Sequence, residues 1–189
     1  YDSEGRVLTH TLPMGQVEYF AYDPLGNMLS HTDFNGDTIS YTSSPCCGKI
    51  VQKSFPDGTA EDYTYTATGQ VETVTTYYGS TSYFYDLRDR LTQVDNLDGT
   101  SISYTYDEAG NRTSVTVPSG TTLYTFDALN RLATVTDPDG GVTSYTYDLV
   151  GNRQSVILPG GTVTSYVYDD LNRLTYMENR AADTSLISS

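Results

Sequence analysis

"YDEAGNR", Tyr106 to Arg112, returns along the chain as "YDSEGRV" from Tyr1, "YDPLGNM" from Tyr22, "YDLRDRL" from Tyr85, "FDALNRL" from Phe126, "YDLVGNR" from Tyr147 and "YDDLNRL" from Tyr168. A recurrence at fixed period sets the architecture before single residues set the chemistry. With the aromatic as origin, repeats begin near Tyr1, Tyr22, Tyr41, Tyr65, Tyr85, Tyr106, Phe126, Tyr147 and Tyr168, separated by 21, 19, 24, 20, 21, 20, 21 and 21 residues. Nine repeats of 20–21 residues thus account for residues 1–189 as a single array.

Leaving aside the repeat at Tyr41, the fourth residue after the aromatic is Gly5, Gly26, Gly69, Asp89, Gly110, Asn130, Gly151 or Asn172. Gly, Asn and Asp are the residues that accept a left-handed backbone. The residue after the aromatic, Asp2, Asp23, Asp86, Asp107, Asp127, Asp148 or Asp169, suits the first corner of a type I turn, where its carboxylate accepts a backbone N–H two residues on. The motif is therefore a hairpin turn, built by Tyr22, Asp23 and Gly26, by Tyr85, Asp86 and Asp89, by Tyr106, Asp107 and Gly110, by Phe126, Asp127 and Asn130, by Tyr147, Asp148 and Gly151, and by Tyr168, Asp169 and Asn172. A second turn glycine lies half a repeat away, at Gly15, Gly36, Gly58, Gly79, Gly99, Gly120, Gly140 and Gly161. The expected fold is all-β: a repetitive antiparallel hairpin meander with two strands per repeat.

The strand entering each motif alternates. In "SISYTYD", "VTSYTYD" and "VTSYVYD", Tyr104 with Tyr106, Tyr145 with Tyr147 and Tyr166 with Tyr168 share one face, and adjacent repeats should stack these pairs into aromatic columns. The returning strand carries apolar residues at an odd separation, as in Leu91 with Val94 and Leu132 with Val135, which divides them between faces unless a bulge intervenes. "YTSSPCCGK" breaks the rhythm: Tyr41 to Gly48 is seven residues, which reads as a three-residue insertion in one turn.

A net charge of −14 argues against nucleic acid or an anionic membrane as partner, because counterion release needs clustered Lys and Arg. No apolar run approaches the ~18 residues of a membrane span. Eighteen Tyr and 16 Gly with no Trp are strand and turn composition. The motif aspartates stand at a spacing compatible with paired-carboxylate catalysis, but seven repeated copies read as seven turn caps, and no enzyme activity is expected. Arg6, Lys49, Arg90, Arg131 and Arg173 directly follow the left-handed position and should offset that acidic rim, with Arg112 and Arg153 one place further on. His10 and His31, in equivalent places of successive repeats about 10 Å apart, do not share a metal, and two cysteines do not complete a zinc site. No cofactor is expected. Adjacent Cys46 and Cys47 are open to a vicinal disulfide, to two quiet thiols or to a redox role. "DPDG", Asp137 to Gly140, sits in a regular half-way turn. Tyrosine columns also admit glycan contact wherever they reach solvent.

The motif "Y-D-x-x-G-N/R" at these intervals, with "DG" or "GG" half-way, resembles the YD repeats of the rearrangement-hotspot (RHS) family, which includes bacterial polymorphic toxins, toxin-complex components, wall-associated proteins and teneurin-like adhesion proteins. The resemblance covers essentially the whole chain. It implies a β-strip that spirals into a hollow shell, with this chain an interior segment of a longer secreted or cell-surface bacterial protein. Its partners would be the rest of its own polypeptide, namely further repeats and an enclosed C-terminal toxin or effector. The alternative is an extracellular adhesion or filament module that binds a glycan, a protein or copies of itself.

Overall fold

The computed structural model describes residues 1–183 and 185–188, which contain strands and turns and no helix. The chain divides into two compact bodies, Tyr1–Gly99 and Thr100–Ser189. The first contains β1 (Thr9–Thr11), β2 (Val17–Tyr22), β3 (Met28–Thr32), β4 (Thr38–Ser43), β5 (Ile50–Ser54), β6 (Ala60–Tyr65), β7 (Val71–Thr76), β8 (Gly79–Tyr85) and β9 (Leu91–Asp95). The second contains β10 (Ser101–Tyr106), β11 (Arg112–Val117), β12 (Gly120–Phe126), β13 (Leu132–Thr136), β14 (Val142–Tyr147), β15 (Arg153–Ile157), β16 (Val163–Tyr168), β17 (Leu174–Arg180) and β18 (Leu186–Ser188). Within the first body each strand pairs antiparallel with the next in sequence. The second body follows the same rule. Each is the hairpin meander that the two turns per repeat specify.

The apolar residues two and five positions past the left-handed residue of the aspartate-capped turns, such as Leu91 with Val94 and Leu132 with Val135, both reach the tyrosine face, because a bulge follows each motif turn that joins two strands. Tyr85 pairs with Leu91 and Phe84 with Gln93, so Thr92 is skipped and Tyr83 comes opposite Val94. Leu91 and Val94 therefore lie on one face with both tyrosines, despite their odd separation. Glu72, Thr113, Ala133, Gln154 and Thr175 are skipped in the same way. One extra residue shifts the side-chain alternation by a place.

The other face is hydroxylic. Thr64 and Thr73 Oγ1 lie 2.8 Å apart, Thr125 and Thr134 Oγ1 2.6 Å, and Thr146 Oγ1 and Ser155 Oγ 2.7 Å, each pair bridging two strands. In each body the sheet is a single layer. No apolar side chain is buried among the described residues, where the only buried residue is Ser114, and the chain exposes 12263 Å². A globular protein of this mass exposes about 9,000 Å². The tyrosine face is half-buried by its own neighbours and not by a second layer.

The repeat beginning at Tyr41 is corrected by its register. Tyr41 pairs with Lys53 and Ser43 with Ile50, as Phe20 pairs with His31 and Tyr22 with Met28. Ser43 thus holds the motif position, 21 residues after Tyr22 and 22 before Tyr65. The Ser44 N–H donates to the Lys49 carbonyl at 2.7 Å, five residues on, where the Asp23 N–H donates to the Asn27 carbonyl at 2.8 Å, four residues on. The insertion is one residue and not three. An aromatic origin misplaced this repeat because Tyr41 is the first tyrosine position of its strand and serine occupies the second.

Gly110 has φ 98° and open space where a Cβ would project. The cost of a side chain there is backbone strain alone. Gly110→Val should lower the unfolding free energy by about 1–3 kcal/mol, since a β-branched residue resists positive φ, while Gly110→Asn should cost clearly less. Urea titrations followed by circular dichroism measure the difference. Equal losses would refute the left-handed constraint.

Candidate functional site

The side chains with the densest polar bonding form the rim of motif turns and the tyrosines beneath it. At Asp23 the Gly26 N–H donates to the main-chain carbonyl at 3.0 Å, closing the turn. The Asp23 Oδ1 accepts the Leu25 N–H at 2.9 Å and the Asn27 N–H at 2.8 Å, while Oδ2 accepts Asn27 Nδ2 at 2.8 Å. Asp107 and Asp148 are bonded alike by Asn111 and Asn152. Where the fourth residue after the aspartate is Arg, its Nε takes the place of the amide: Arg90 on Asp86, Arg131 on Asp127 and Arg173 on Asp169, all at 2.7 Å. The left-handed positions have φ 90° at Gly26, 57° at Asp89, 98° at Gly110, 58° at Asn130, 100° at Gly151 and 59° at Asn172.

Neighbouring turns are also tied to one another, which the spacing alone does not reveal. Asn111 Nδ2 donates to Asn130 Oδ1 at 2.9 Å, Asn152 Nδ2 to Asn172 Oδ1 at 2.9 Å, and Thr68 Oγ1 to Asp89 Oδ1 at 2.6 Å. Arg6 Nη1 reaches the Asp23 carbonyl at 3.2 Å and Arg131 Nη1 the Asp148 carbonyl at 3.4 Å. The only available signal is the side-chain oxygen that Asn or Asp brings to a position where Gly would serve the turn equally well.

The motif tyrosines brace the bulges. The hydroxyls of Tyr65, Tyr85, Tyr147 and Tyr168 donate to the carbonyls of Ile50, Val71, Leu132 and Arg153 at 2.6, 2.8, 2.9 and 3.1 Å. Each acceptor is the first residue of the preceding returning strand. The rings do not stack on one another as the expected columns require, because a returning strand separates successive entering strands. Cations fill that interval: Arg6 over Tyr22 at 5.1 Å, Lys49 over Tyr65 at 4.7 Å, Arg131 over Tyr147 at 4.6 Å, and Arg112 within 5.8 Å of Tyr104 and 5.4 Å of Tyr124.

Burial and bonding leave little free chemistry at the rim. The Arg90 side chain holds the Asp86 carboxyl below its ordinary range, the Asn27 amide does so for Asp23, and the Arg131 main-chain N–H for Asp127. Carboxylates that are ionised and engaged as turn acceptors are poor general acids at neutral pH. His10 Nδ1 and His31 Nε2 both lie 2.9 Å from Glu18, one on each carboxylate oxygen. Glu18 is the partner that a repeat-by-repeat reading misses, since β2 runs between the two histidines' strands. Among the described residues no group of three or more His, Cys, Asp or Glu is arranged to hold a metal. Asp137 closes its half-way turn, its carbonyl accepting the Gly140 N–H at 3.0 Å, as the regular position of "DPDG" requires. Cys46 and Cys47 are exposed thiols, not joined in a disulfide, with sulfurs 3.0 Å apart.

The RHS Repeat family profile matches residues 1–38, 85–122, 126–163 and 147–177, more than half of the chain. No curated protein matches it. Among solved structures, the crystal structure of TcdB2-TccC3 superposes with a TM-score of 0.81 over 99% of this chain at 17% identity. TcdB2-TccC3 without its hypervariable C-terminal region gives 0.62 over 95% at 18% identity. A Photorhabdus luminescens Tc holotoxin pore carrying a TccC3 mutation gives 0.57 over 89% at 20% identity. At these identities the likeness is one of fold. The chain spans 12%, 12% and 9% of those three chains.

The lowered aspartates set an acid limit on stability. A carboxylate with a native pKa below its ordinary 3.8 stabilises the fold above that value, and the contribution is lost as pH falls through the lower native value. Tyrosine near-UV circular dichroism should therefore collapse as pH drops below about 3.8. The Asp86→Asn/Asp127→Asn variant, which keeps the acceptor for the main-chain N–H groups but gives up the charge and the arginine contact, should show a shallower acid loss. Superimposable acid profiles would sink this assignment.

Proposed function

The chain belongs to the RHS repeat family, and from that premise we propose that it is a stretch of shell wall in a longer bacterial protein, sheltering polypeptide encoded further along the same chain. The observation that carries this reading is the single-layer sheet of each body, with no apolar side chain buried among the described residues, together with superposition over 99% of the chain's length on 12% of a longer chain. A sheet with no second layer among the described residues, extended by similar repeats, suits a boundary between two compartments. The wall itself performs no catalysis: its recurrent carboxylates are committed to turns.

TcdB2-TccC3 has a hypervariable C-terminal region, and the matching element of the parent of this chain would be its cargo. Its remaining partners are further repeats, and its site of action lies outside the producing cell. The net charge of −14 supports a wall that neither binds nucleic acid nor adheres to anionic lipid. The hydroxylic face and the tyrosine face give such a wall two chemically distinct sides.

Electron microscopy of the full-length parent protein with its downstream region intact tests this function. Closed hollow particles containing internal density are expected. An open strip or an extended fibre would overturn the shell and make the exposed tyrosines and acidic rim the binding surface of an adhesion or filament module.

A further inference from the structure

We propose that Cys46 and Cys47 form a thiol–disulfide exchange site, in which Cys47 attacks a small disulfide of the oxidised-glutathione class and Cys46 resolves the adduct. The turn that carries them departs from the other motif turns. Its first corner is Ser44 instead of aspartate or threonine, and it holds one residue more between that corner and Lys49. Both thiols are exposed and not joined in a disulfide, with Sγ atoms in hydrogen-bond contact at 3.0 Å. Ser44 Oγ lies 2.9 Å from Cys46 Sγ and accepts from Cys47 Sγ at 3.6 Å, so one hydroxyl gathers both sulfurs.

The two thiols are not equivalent. The contact with Cys46, then the Ser44 hydroxyl, then the main chain at Lys49 hold the Cys47 thiol below the usual thiol range. A larger thiolate fraction and free access make Cys47 the attacking sulfur. Beside the pair lies an open groove of about 510 Å³ lined by Val51, Tyr63, Tyr65 and Lys49. It offers a largely apolar lining for the body of a small disulfide, with the Lys49 ammonium held against the Gly69 carbonyl and over the Tyr65 ring.

The exchange balances without any further reactant. The Cys47 thiolate bonds to one sulfur of the incoming disulfide, whose S–S bond breaks, and one half leaves as a thiolate that takes up a proton. Cys46 then loses its proton to solvent, bonds to the Cys47 sulfur and expels the second half as thiolate. Two electrons pass from the cysteine pair to the disulfide, which is reduced to two thiols while the pair is oxidised to a vicinal disulfide. This chemistry is independent of the wall function, since any fold presenting this turn would support it.

The 189-residue chain is treated with oxidised glutathione and followed by thiol titration and intact mass, alongside Cys46→Ser and Cys47→Ser. The unmodified chain should lose both titratable thiols and two hydrogens while retaining no glutathione. Cys46→Ser should retain one glutathione on Cys47 and react several-fold faster than Cys47→Ser, with far-UV circular dichroism unchanged between the variants. Retention of both free thiols, a stable glutathione on each cysteine, cross-linking between chains, or equal rates in the two variants would each overturn the assignment.

Discussion

One carboxylate in seven of the nine repeats, with a serine or threonine hydroxyl standing in its place in the other two, carries a chain of consequences. An aspartate at the turn corner accepts main-chain N–H groups two and four residues on, and this cap holds the intervening residue in the left-handed region. A type I turn followed by a left-handed residue returns the strand with one residue out of step. That bulge places Leu91 and Val94 beside Tyr83 and Tyr85. Without it, the returning strand would send half of its apolar residues to the hydroxylic face. The amphipathic sheet is thus a product of turn chemistry, and its strand alternation follows from the turn.

A single-layer sheet cannot draw its stability from a core. What remains is pairwise and local: cross-strand threonine hydroxyls, tyrosines partly covered by the returning strand, and cations over ring faces, each worth about 0.2–1 kcal/mol. Summed repeat by repeat, such terms give a nearest-neighbour object whose stability grows with the number of repeats. The tyrosine hydroxyl matters in this setting because it bonds a carbonyl of the neighbouring returning strand. It couples one bulge to the next strand where no second layer exists to do so.

The repeat length, the turn residues and the all-β meander are legible in the sequence because they rest on local rules: which residues accept positive φ, and a side-chain period of two. The bulge is half-legible. The odd separation of Leu132 and Val135 demands either divided faces or an extra residue, and only pairing decides between them. The register of the repeat at Ser43 is not legible from aromatic spacing, because the residue that defines the origin is absent there. The Glu18 bridge between His10 and His31 and the amide bonds between turns depend on which side chains meet across strands, which a period does not specify.

Those inter-turn bonds explain why the motif tolerates two forms. In the second body the left-handed residue and its successor alternate as Gly110-Asn111, Asn130-Arg131, Gly151-Asn152 and Asn172-Arg173. An asparagine amide has two donors. In Asn111 one goes to Asp107 of its own turn and the other to Asn130 of the next. The arginine that follows Asn130 reaches further, with Nε on Asp127 and Nη1 on the Asp148 carbonyl of the turn after it. In this body each Gly-Asn turn thus donates to a side-chain oxygen ahead of it, and the Asn-Arg turn that follows supplies that oxygen. Gly and Asn are equivalent for the backbone but not for the rim: their alternation links turn to turn along an edge whose carboxylates would otherwise only repel one another.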